Sequence, residues 1–590
     1  MHQEKQTRAL ELPEIISGLL VLGAVVVEGC FFPYCDEEPF FRSIHLVLCG
    51  LVWANSLCSL THALAALVRK QLPGRDLALR LLLSLIASFV FFCGVKGGTV
   101  YWISMNMALG LGLLSCFNTF NYIRGRRRTT QHERRRRWSP SAIFFTTMVS
   151  LVFVSALLLM TPGAHNGNLS FMDALFTCAS ATSITGLTCI DIAQDLTPIG
   201  QTVVLIDFQV GALGVMTFTY LILLMMGKRL NLLESSAMAA ILDQEEEGTK
   251  DISALLKIVC AVTGVVELIG AGALYLSWAG NPAVPHDDLI YYAIFHSVSA
   301  FCNAGITLFS EGLATQSLSH SYGSLAIILT LVMAGTVGFG VYREGLIRLK
   351  RHWGQREKNN PRWSTHSWLV MRVSIIVLII GFIGLLLLAW CEPSRYQPES
   401  AVSMIWESLW NTIGRSAGFN LNNLDNYGPV YKLYMCVLMF VGGNPAGTGG
   451  GVFAPVVALC VLEIFRVLRG KRDVEIHYRR ISRHTVERAM ATIVLSIFWI
   501  IATTMILQIV EEYGSATPPK LMHIFFLEVS AYTTTGYALS SPADLTLISK
   551  LVITLNMLFG RMGMFTFMLL FIKPQKEAPF RYPETRLPLS

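Results

Sequence analysis

Four glycines, Gly186, Gly305, Gly418 and Gly536, recur at intervals of 119, 113 and 118 residues. Each closes a triplet: Ile184, Thr185, Gly186; Asn303, Ala304, Gly305; Ser416, Ala417, Gly418; Thr534, Thr535, Gly536. A hydroxyl residue stands six positions before every one, at Ser180, Ser299, Thr412 and Ser530. The chemistry open to such a set is coordination by main-chain oxygen. A dehydrated alkali cation must exchange its water shell for oxygen ligands, and rings of backbone carbonyls supply them without a fixed charge. Glycine reaches positive φ without steric cost, so successive carbonyls can be turned toward a shared axis.

Four such turns need elements to hold them, and composition says where those elements lie. The chain is 53% hydrophobic and 14% charged, with mean hydropathy +0.52 over 590 residues. That is the profile of a polytopic membrane protein rather than of a soluble core. Crossing about 30 Å of hydrocarbon takes about 20 residues. Stretches of that kind fall near 12–31, 43–68, 77–93 and 98–120, and then in pairs at 140–162 with 202–227, 252–278 with 322–347, 367–390 with 430–465, and 486–510 with 545–572. Between the members of each pair lies a shorter segment, 172–183, 289–301, 402–413 or 521–533, too short to span as a helix. Irregular backbone at membrane depth is tolerated only where it is buried in protein or lines a water-filled cavity, so these segments are expected to be re-entrant, with the glycine turns facing a pore.

The expected fold is all-α and polytopic: four tandem helix, pore-helix, helix units forming one pore, preceded by four extra N-terminal transmembrane helices. The boundaries implied are an N-terminal extension 1–123, a basic linker 124–139, units at 140–228, 229–350, 351–470 and 471–572, and a tail 573–590.

Basic residues orient the chain. The segment 124–138 carries eight arginines, and 69–75, 343–351, 466–472 and 573–576 fall on the same side, whereas 161–173 and 279–290 hold no Lys or Arg. That side reads as cytoplasmic, with both termini inside. The position of 124–138 between spans points to topogenic charge or anionic headgroups rather than nucleic acid. The first span lacks a small-residue cleavage site and reads as retained. The thirteen cysteines form no CxxC pair and read as small core residues, with Cys30 and Cys35 alone near an outer loop. If each short helix enters from outside, its C-terminal end favours a cation, and Asp173, Asp287, Asp288, Glu399 and Glu528 would sit at the outer helix starts. Lys96 reads as a snorkelling boundary charge, and Glu267 as a buried acid with no partner legible in the sequence.

Over about 140–572 the chain resembles the Trk/Ktr/HKT superfamily of potassium transporters, above all the bacterial Trk and Ktr pore-forming membrane subunits. In that family four such units form one pore within one subunit, each with a filter glycine, and 184–188, 303–307, 416–420 and 534–538 match those places. The resemblance implies potassium-binding carbonyls at the four triplets. It implies potassium preference from Gly186, since serine at the first position shifts relatives toward sodium. It also implies a homodimer and a separate cytosolic subunit with nucleotide-binding domains. The localisation implied is the cell membrane, with the lipid bilayer as surroundings, potassium as substrate and no cofactor in this chain.

Two more features resemble the family's gate. The third unit's second span is broken at 441–451, where Gly442, Gly443, Asn444, Pro445, Gly447, Gly449 and Gly450 cannot sustain a helix. Arg561 is a charge deep within 545–572 and must face the interior or a cavity. In the family the comparable loop obstructs the inner pore and an arginine lies across from it. The family usually continues with a lysine-containing stretch like GGIKT, whereas this chain reads GGGVFAP from Gly449 to Pro455. That segment resembles the GxFxP element of chloride channels, but their GSGIP and GKEGP signatures are absent. A membrane potential supplies about 2.3 kcal/mol per charge per 100 mV, so channel-like uptake needs no coupled ion. A sodium-permeable pore and a sodium- or proton-coupled symporter are the alternatives. The GTGGG of the broken span lacks the Lys-Ser/Thr of a phosphate loop, and no enzyme is expected.

Overall fold

The computed structural model describes residues 140–214, 252–354, 363–392, 400–564 and 568, apart from 162, 282–283, 287, 311, 315, 320, 446, 478 and 516–517. The four spans expected before 121, Lys96, Cys30, Cys35, the basic linker, the end of the span 202–227, Asp287, Glu399 and the tail from 573 lie outside the described residues.

The described chain is helical save for a two-stranded hairpin. Its helices in order are α1 (Pro140–Leu159), α2 (Phe171–Ser183), α3 (Pro198–Leu213), α4 (Ile252–Trp278), α5 (Leu289–Cys302), α6 (Gln316–Ser319), α7 (Tyr322–Thr336), α8 (Phe339–Gly354), α9 (Thr365–Cys391), α10 (Ala401–Gly414), α11 (Pro429–Phe440), α12 (Ala454–Leu468), α13 (Arg483–Gly514), α14 (Leu521–Tyr532) and α15 (Leu547–Met562). Strands β1 (Glu475–Ile476) and β2 (Arg479–Arg480) pair antiparallel between α12 and α13.

Among the described residues three helices are long and apolar enough to cross a bilayer: α4 over Ile258–Trp278, α9 and α13. Their outward faces are apolar. Ile375, Ile376, Ile379, Ile380 and Ile383 on α9 are all about half exposed, which is stable only against lipid and leaves every backbone polar group satisfied within the helix.

The short helices α2, α5, α10 and α14 occupy the middle. Each packs against neighbours of its own stretch of chain and against one helix from another stretch: α2 on α1, α3 and α15; α5 on α4, α7 and α3; α10 on α9 and α7; α14 on α13, α15 and α11. These contacts close a ring in which the last helix meets the first short one. Starts are set by local chemistry. Ser170 caps α2 by accepting from Asp173 N at 3.1 Å, and Ser400 with Ser403 forms a capping box on α10. Lys550 on α15 reaches Asp173 at 2.7 Å, tying that cap to the far end of the chain.

Close approach of the helices depends on glycines. A Cβ at Gly211 on α3 would meet the carbonyl of Thr182, one at Gly335 on α7 that of Phe301, and one at Gly560 on α15 that of Tyr532. The three carbonyls sit two residues after Ser180, Ser299 and Ser530. Backbone cannot yield as a flexible side chain does. Gly560→Val is therefore expected to lower the melting temperature in detergent by several degrees and cut the yield of monodisperse protein. Gly272→Val, in a spot with no neighbour near its Cβ, should change neither.

The span expected over 322–347 is not continuous. Helices α7 and α8 meet at 94°, because Gly338 adopts φ +89° and ends the ladder. The Tyr342 hydroxyl takes up the freed carbonyl of Ala334 at 2.7 Å. Gly214 after α3 (φ +78°) and Gly563 after α15 (φ +79°) end their helices in the same way, each three residues beyond the glycine that contacts a short helix. The interruption expected near 441–451 runs from Val441 to Phe453, between α11 and α12.

Candidate functional site

The four triplets follow directly on the short helices. Three are launched by a residue in the left-handed region: Ile184 (φ 62°), Asn303 (φ 60°) and Thr534 (φ 50°). That conformation costs about 1–2 kcal/mol outside glycine, and a β-branched isoleucine adopts it only where the surroundings over-determine the backbone. After these residues the chain reverses, and the amides of Thr185, Ala304 and Thr535 donate back to the carbonyls of Ser180, Ser299 and Ser530 at 2.8–2.9 Å. The third turn is built differently. Arg415 is right-handed (φ −53°), and the amides of Ala417 and Gly418 both donate to Gly414 O.

The glycines bring the turns together. Gly186, Gly305, Gly418 and Gly536 all have positive φ (89°, 67°, 70° and 100°). A Cβ on Gly186 would lie 2.5 Å from the carbonyl oxygen of Ala304; one on Gly305 would meet that of Ala417, one on Gly418 that of Thr535, and one on Gly536 that of Thr185. The order is cyclic and closes on itself. Each turn thus sets the carbonyl before its glycine against the glycine of its neighbour, so that the four glycines and Thr185, Ala304, Ala417 and Thr535 close one ring, with Ile184, Asn303, Ser416 and Thr534 one residue earlier in the chain. A cavity of about 330 Å³ borders the ring, lined by Gly186, Gly305, Gly418, Asp191, Thr307 and Asn420 among others.

The hydroxyls six positions ahead of the glycines do not share one role. Ser299 donates to Ile306 O at 2.7 Å and Ser530 accepts from Gly536 N at 3.0 Å, bracing their turns. Thr412 donates to Ser408 O within its own helix, and Ser180 Oγ has no partner among the described residues. The third turn is braced instead by Trp410, whose Nε1 donates to Phe419 O at 2.8 Å.

Val441–Phe453 folds into a compact loop. Gly442 N donates to Val452 O and Gly443 N to Gly450 O, and Ala454 N returns to Gly443 O at 3.0 Å. Gly442, Gly443, Asn444, Pro445, Gly447, Gly449 and Gly450 therefore lie together. The loop presses on the turns: a Cβ on Gly450 would meet the Thr534 side chain, and one on Gly451 the Thr533 carbonyl. Arg561, from the last turn of α15, donates through Nη1 to Thr448 O at 2.6 Å and through Nη2 to Gly211 O at 2.8 Å. One guanidinium thus joins the loop to α3.

Some residues stand elsewhere than their sequence suggests, and others went unnoticed there. Asp173 is in the first turn of α2, and Asp288 precedes α5 without a side-chain cap bond. Glu528 is not at a helix start: it lies two turns into α14, fully buried, holding Thr503 and Asn556. Glu267 finds partners in Gln209 (3.2 Å) and, more distantly, Cys302. Sequence reasoning passed over Arg415, whose Nη1 donates to Leu438 O at 3.0 Å and to Val441 O at the start of the loop. The signal was available, since a lone arginine in an otherwise uncharged turn cannot be there for solubility.

Fold and site define an all-helical, multi-pass membrane protein in which four glycine turns converge on a backbone-lined ring. Residues 103–580 match the family model TrkH, described as cation transport protein, and the chain belongs to that family. It is 28% identical over 449 residues to Ktr system potassium uptake protein B of Bacillus subtilis (strain 168), covering 76% of this chain and 96% of that protein. It is also 28% identical over 475 residues to the potassium/sodium uptake protein NtpJ of Enterococcus hirae, covering 77% and 98%. The crystal structure of the potassium transporter TrkH from Vibrio parahaemolyticus superposes with a TM-score of 0.59 at 19% identity, over 90% of this chain and 98% of that one.

Proposed function

We propose that this chain is the pore-forming membrane subunit of a potassium uptake system, passing dehydrated K+ through the ring of triplet carbonyls. The observation that carries this reading is the cyclic closure of the four glycine turns, in which carbonyl oxygens approach without side chains between them. Fixed dipoles at that spacing replace a hydration shell. The ligands are the carbonyls of Ile184, Thr185, Asn303, Ala304, Ser416, Ala417, Thr534 and Thr535, with the four glycines permitting them. Uptake follows the membrane potential. The loop 441–453, held by Arg561, obstructs the inner side and moves for conduction, and the arginine adds a positive barrier there.

The four units at 140–228, 229–350, 351–470 and 471–572 surround one pore, preceded by the extension 1–123. The basic side, which includes 343–351 and 466–472, faces the cytoplasm of a cell bounded by the plasma membrane. Two copies assemble, and a cytosolic nucleotide-binding subunit drives the gate. Similarity to the potassium uptake protein Ktr B supports the cation, and similarity to a potassium/sodium uptake protein keeps sodium permeation as the second reading. The GGGVFAP departure belongs to the gate, because Gly449, Gly450 and Gly451 pack on the Gly443 and Thr533 backbone and on the Thr534 side chain.

The test is influx into liposomes carrying the purified chain under an inside-negative potential, with potassium, sodium and chloride compared. Potassium-dominant influx, reduced in selectivity by Gly186→Ser, is expected. Sodium flux equal to potassium flux would favour the second reading, and chloride flux indifferent to the substitution would overturn both.

A further inference from the structure

The first turn lacks what braces the others. Ser180 Oγ, the hydroxyl six positions before Gly186, has no partner among the described residues, whereas Ser299, Trp410 and Ser530 each hold their own turns. Closer to the triplet the first turn has a different device. Ser183, the last residue of α2, and Thr185 pair their hydroxyls at 2.7 Å across the left-handed Ile184. Both residues are completely buried. The fourth turn repeats the arrangement, with the hydroxyls of Thr533 and Thr535 at 2.9 Å across the left-handed Thr534, and adds it to the bond from Gly536 N to Ser530 Oγ. The second and third turns carry Cys302 with Ala304 and Arg415 with Ala417 at these places, so no hydroxyl pair can form. There the Asn303 amide reaches other elements instead, accepting from Ser416 Oγ at 3.2 Å and donating to Thr448 Oγ1 at 2.5 Å.

The helix ends set the direction of the paired bonds. Thr533 gives its proton to Val529 O at 2.7 Å, and Ser183 gives its own to Ser180 O at 3.3 Å. A hydroxyl has one proton and two lone pairs, so Thr535 and Thr185 are the donors of the pairs. Thr185 is thereby held twice, through its amide on Ser180 O at 2.8 Å and through its hydroxyl on Ser183 Oγ. A trans peptide sets its C=O opposite its N–H, so the first bond turns the Ile184 carbonyl away from α2. The second ties the Cα of Thr185 to the end of α2 and so steadies the next carbonyl, its own, which faces Gly536 where a Cβ would meet it. None of these partners belongs to the loop 441–453, so the hold does not depend on where the loop stands.

We infer that Ser183 is a specificity-determining positioning residue: its hydroxyl holds Thr185, and with it the two carbonyls of the first triplet, at the spacing that suits potassium. This rests on the reading of the triplets as a filter. A carbonyl left free to tilt can close on the smaller sodium ion, so the loss falls on discrimination rather than on flux.

The experiment measures the K+/Na+ permeability ratio, from reversal potentials, on full-length protein in planar bilayers. Ser183→Ala is expected to lower the ratio about fivefold, the effect of losing a hydrogen bond of ordinary net strength, while potassium current persists. Thr185→Val keeps the shape and removes the other hydroxyl. It should lower the ratio to the same extent, and the double variant should fall no further, so it decides the matter if Ser183→Ala does not fold. Ser183→Thr, which gives the first turn the residue that the fourth has in Thr533, should keep the wild-type ratio. An unchanged ratio in both Ser183→Ala and Thr185→Val would overturn the assignment. So would a fall shared by Ser183→Thr, which would make packing rather than the hydroxyl the cause. Gly186→Ser in the same bilayers separates the two levels: a ratio lowered there alone overturns the role of Ser183 and leaves the filter reading intact, whereas a ratio unchanged in all of these variants means that the filter reading itself has failed.

Discussion

Gly305→Ala is expected to abolish potassium influx in reconstituted vesicles, a drop of at least about tenfold, while the protein still purifies as a folded membrane protein. Two costs combine at that position. The residue sits at φ +67°, where an L side chain is strained by about 1–2 kcal/mol. The added methyl would also occupy the space of the Ala417 carbonyl oxygen. Relief requires that carbonyl to swing away, and a carbonyl so turned no longer points where an ion loses its water. Tenfold in rate is only about 1.4 kcal/mol, well within what the clash imposes. Gly186→Ser should behave more mildly, because its Cβ meets the neighbouring carbonyl of Ala304 least severely of the four; there flux persists and the preference for potassium over sodium falls. Gly272→Ala on α4, with open space around its Cβ, is the control that leaves flux and selectivity unchanged. Rubidium or potassium tracer uptake decides among them.

The short helices were legible because each lies between two long apolar spans, is too short to cross a bilayer itself and runs into a glycine triplet. Segments expected at 172–183, 289–301, 402–413 and 521–533 correspond to helices at 171–183, 289–302, 401–414 and 521–532. The bend between α7 and α8 was not legible. Gly338 lies in an unbroken apolar run, and hydropathy registers transfer from water to lipid without seeing φ. Only the repetition of paired glycines three apart, at 211 and 214, 335 and 338, and 560 and 563, carries that signal, and it becomes readable once the contacts with Thr182, Phe301 and Tyr532 are known. Lys550 was overlooked for a related reason. A lysine at the edge of an apolar span is ordinarily a snorkelling charge, and its partner Asp173 is distant in sequence. The triplets stood out since their chemistry is local, whereas Arg415 and the Asn303 amide act across units and depend on which carbonyls the fold brings near.

The second large effect concerns Arg561. Its guanidinium bridges Thr448 O of the loop and Gly211 O of α3, two carbonyls from separate elements of the fold. A charged donor hydrogen-bonded to a neutral acceptor contributes about 1.5–3 kcal/mol, so releasing the loop side of this bridge shifts a closed–open equilibrium by about tenfold or more. Removing the cation also lowers a repulsive barrier to K+ in a region where water screens little. Both consequences have the same sign. Arg561→Ala is therefore expected to raise potassium flux about tenfold at a given potential, with longer open times in single-channel recordings. Arg561→Lys is the informative companion, since an ammonium keeps the charge and loses the planar fork that reaches two carbonyls at once. If loop release dominates, lysine behaves like alanine in open time; if the barrier dominates, lysine keeps unit conductance low. Unchanged conductance together with unchanged gating in Arg561→Ala would remove the residue from the gate and leave it as a brace between α15 and α3, and a fall in melting temperature would then be the variant's main effect.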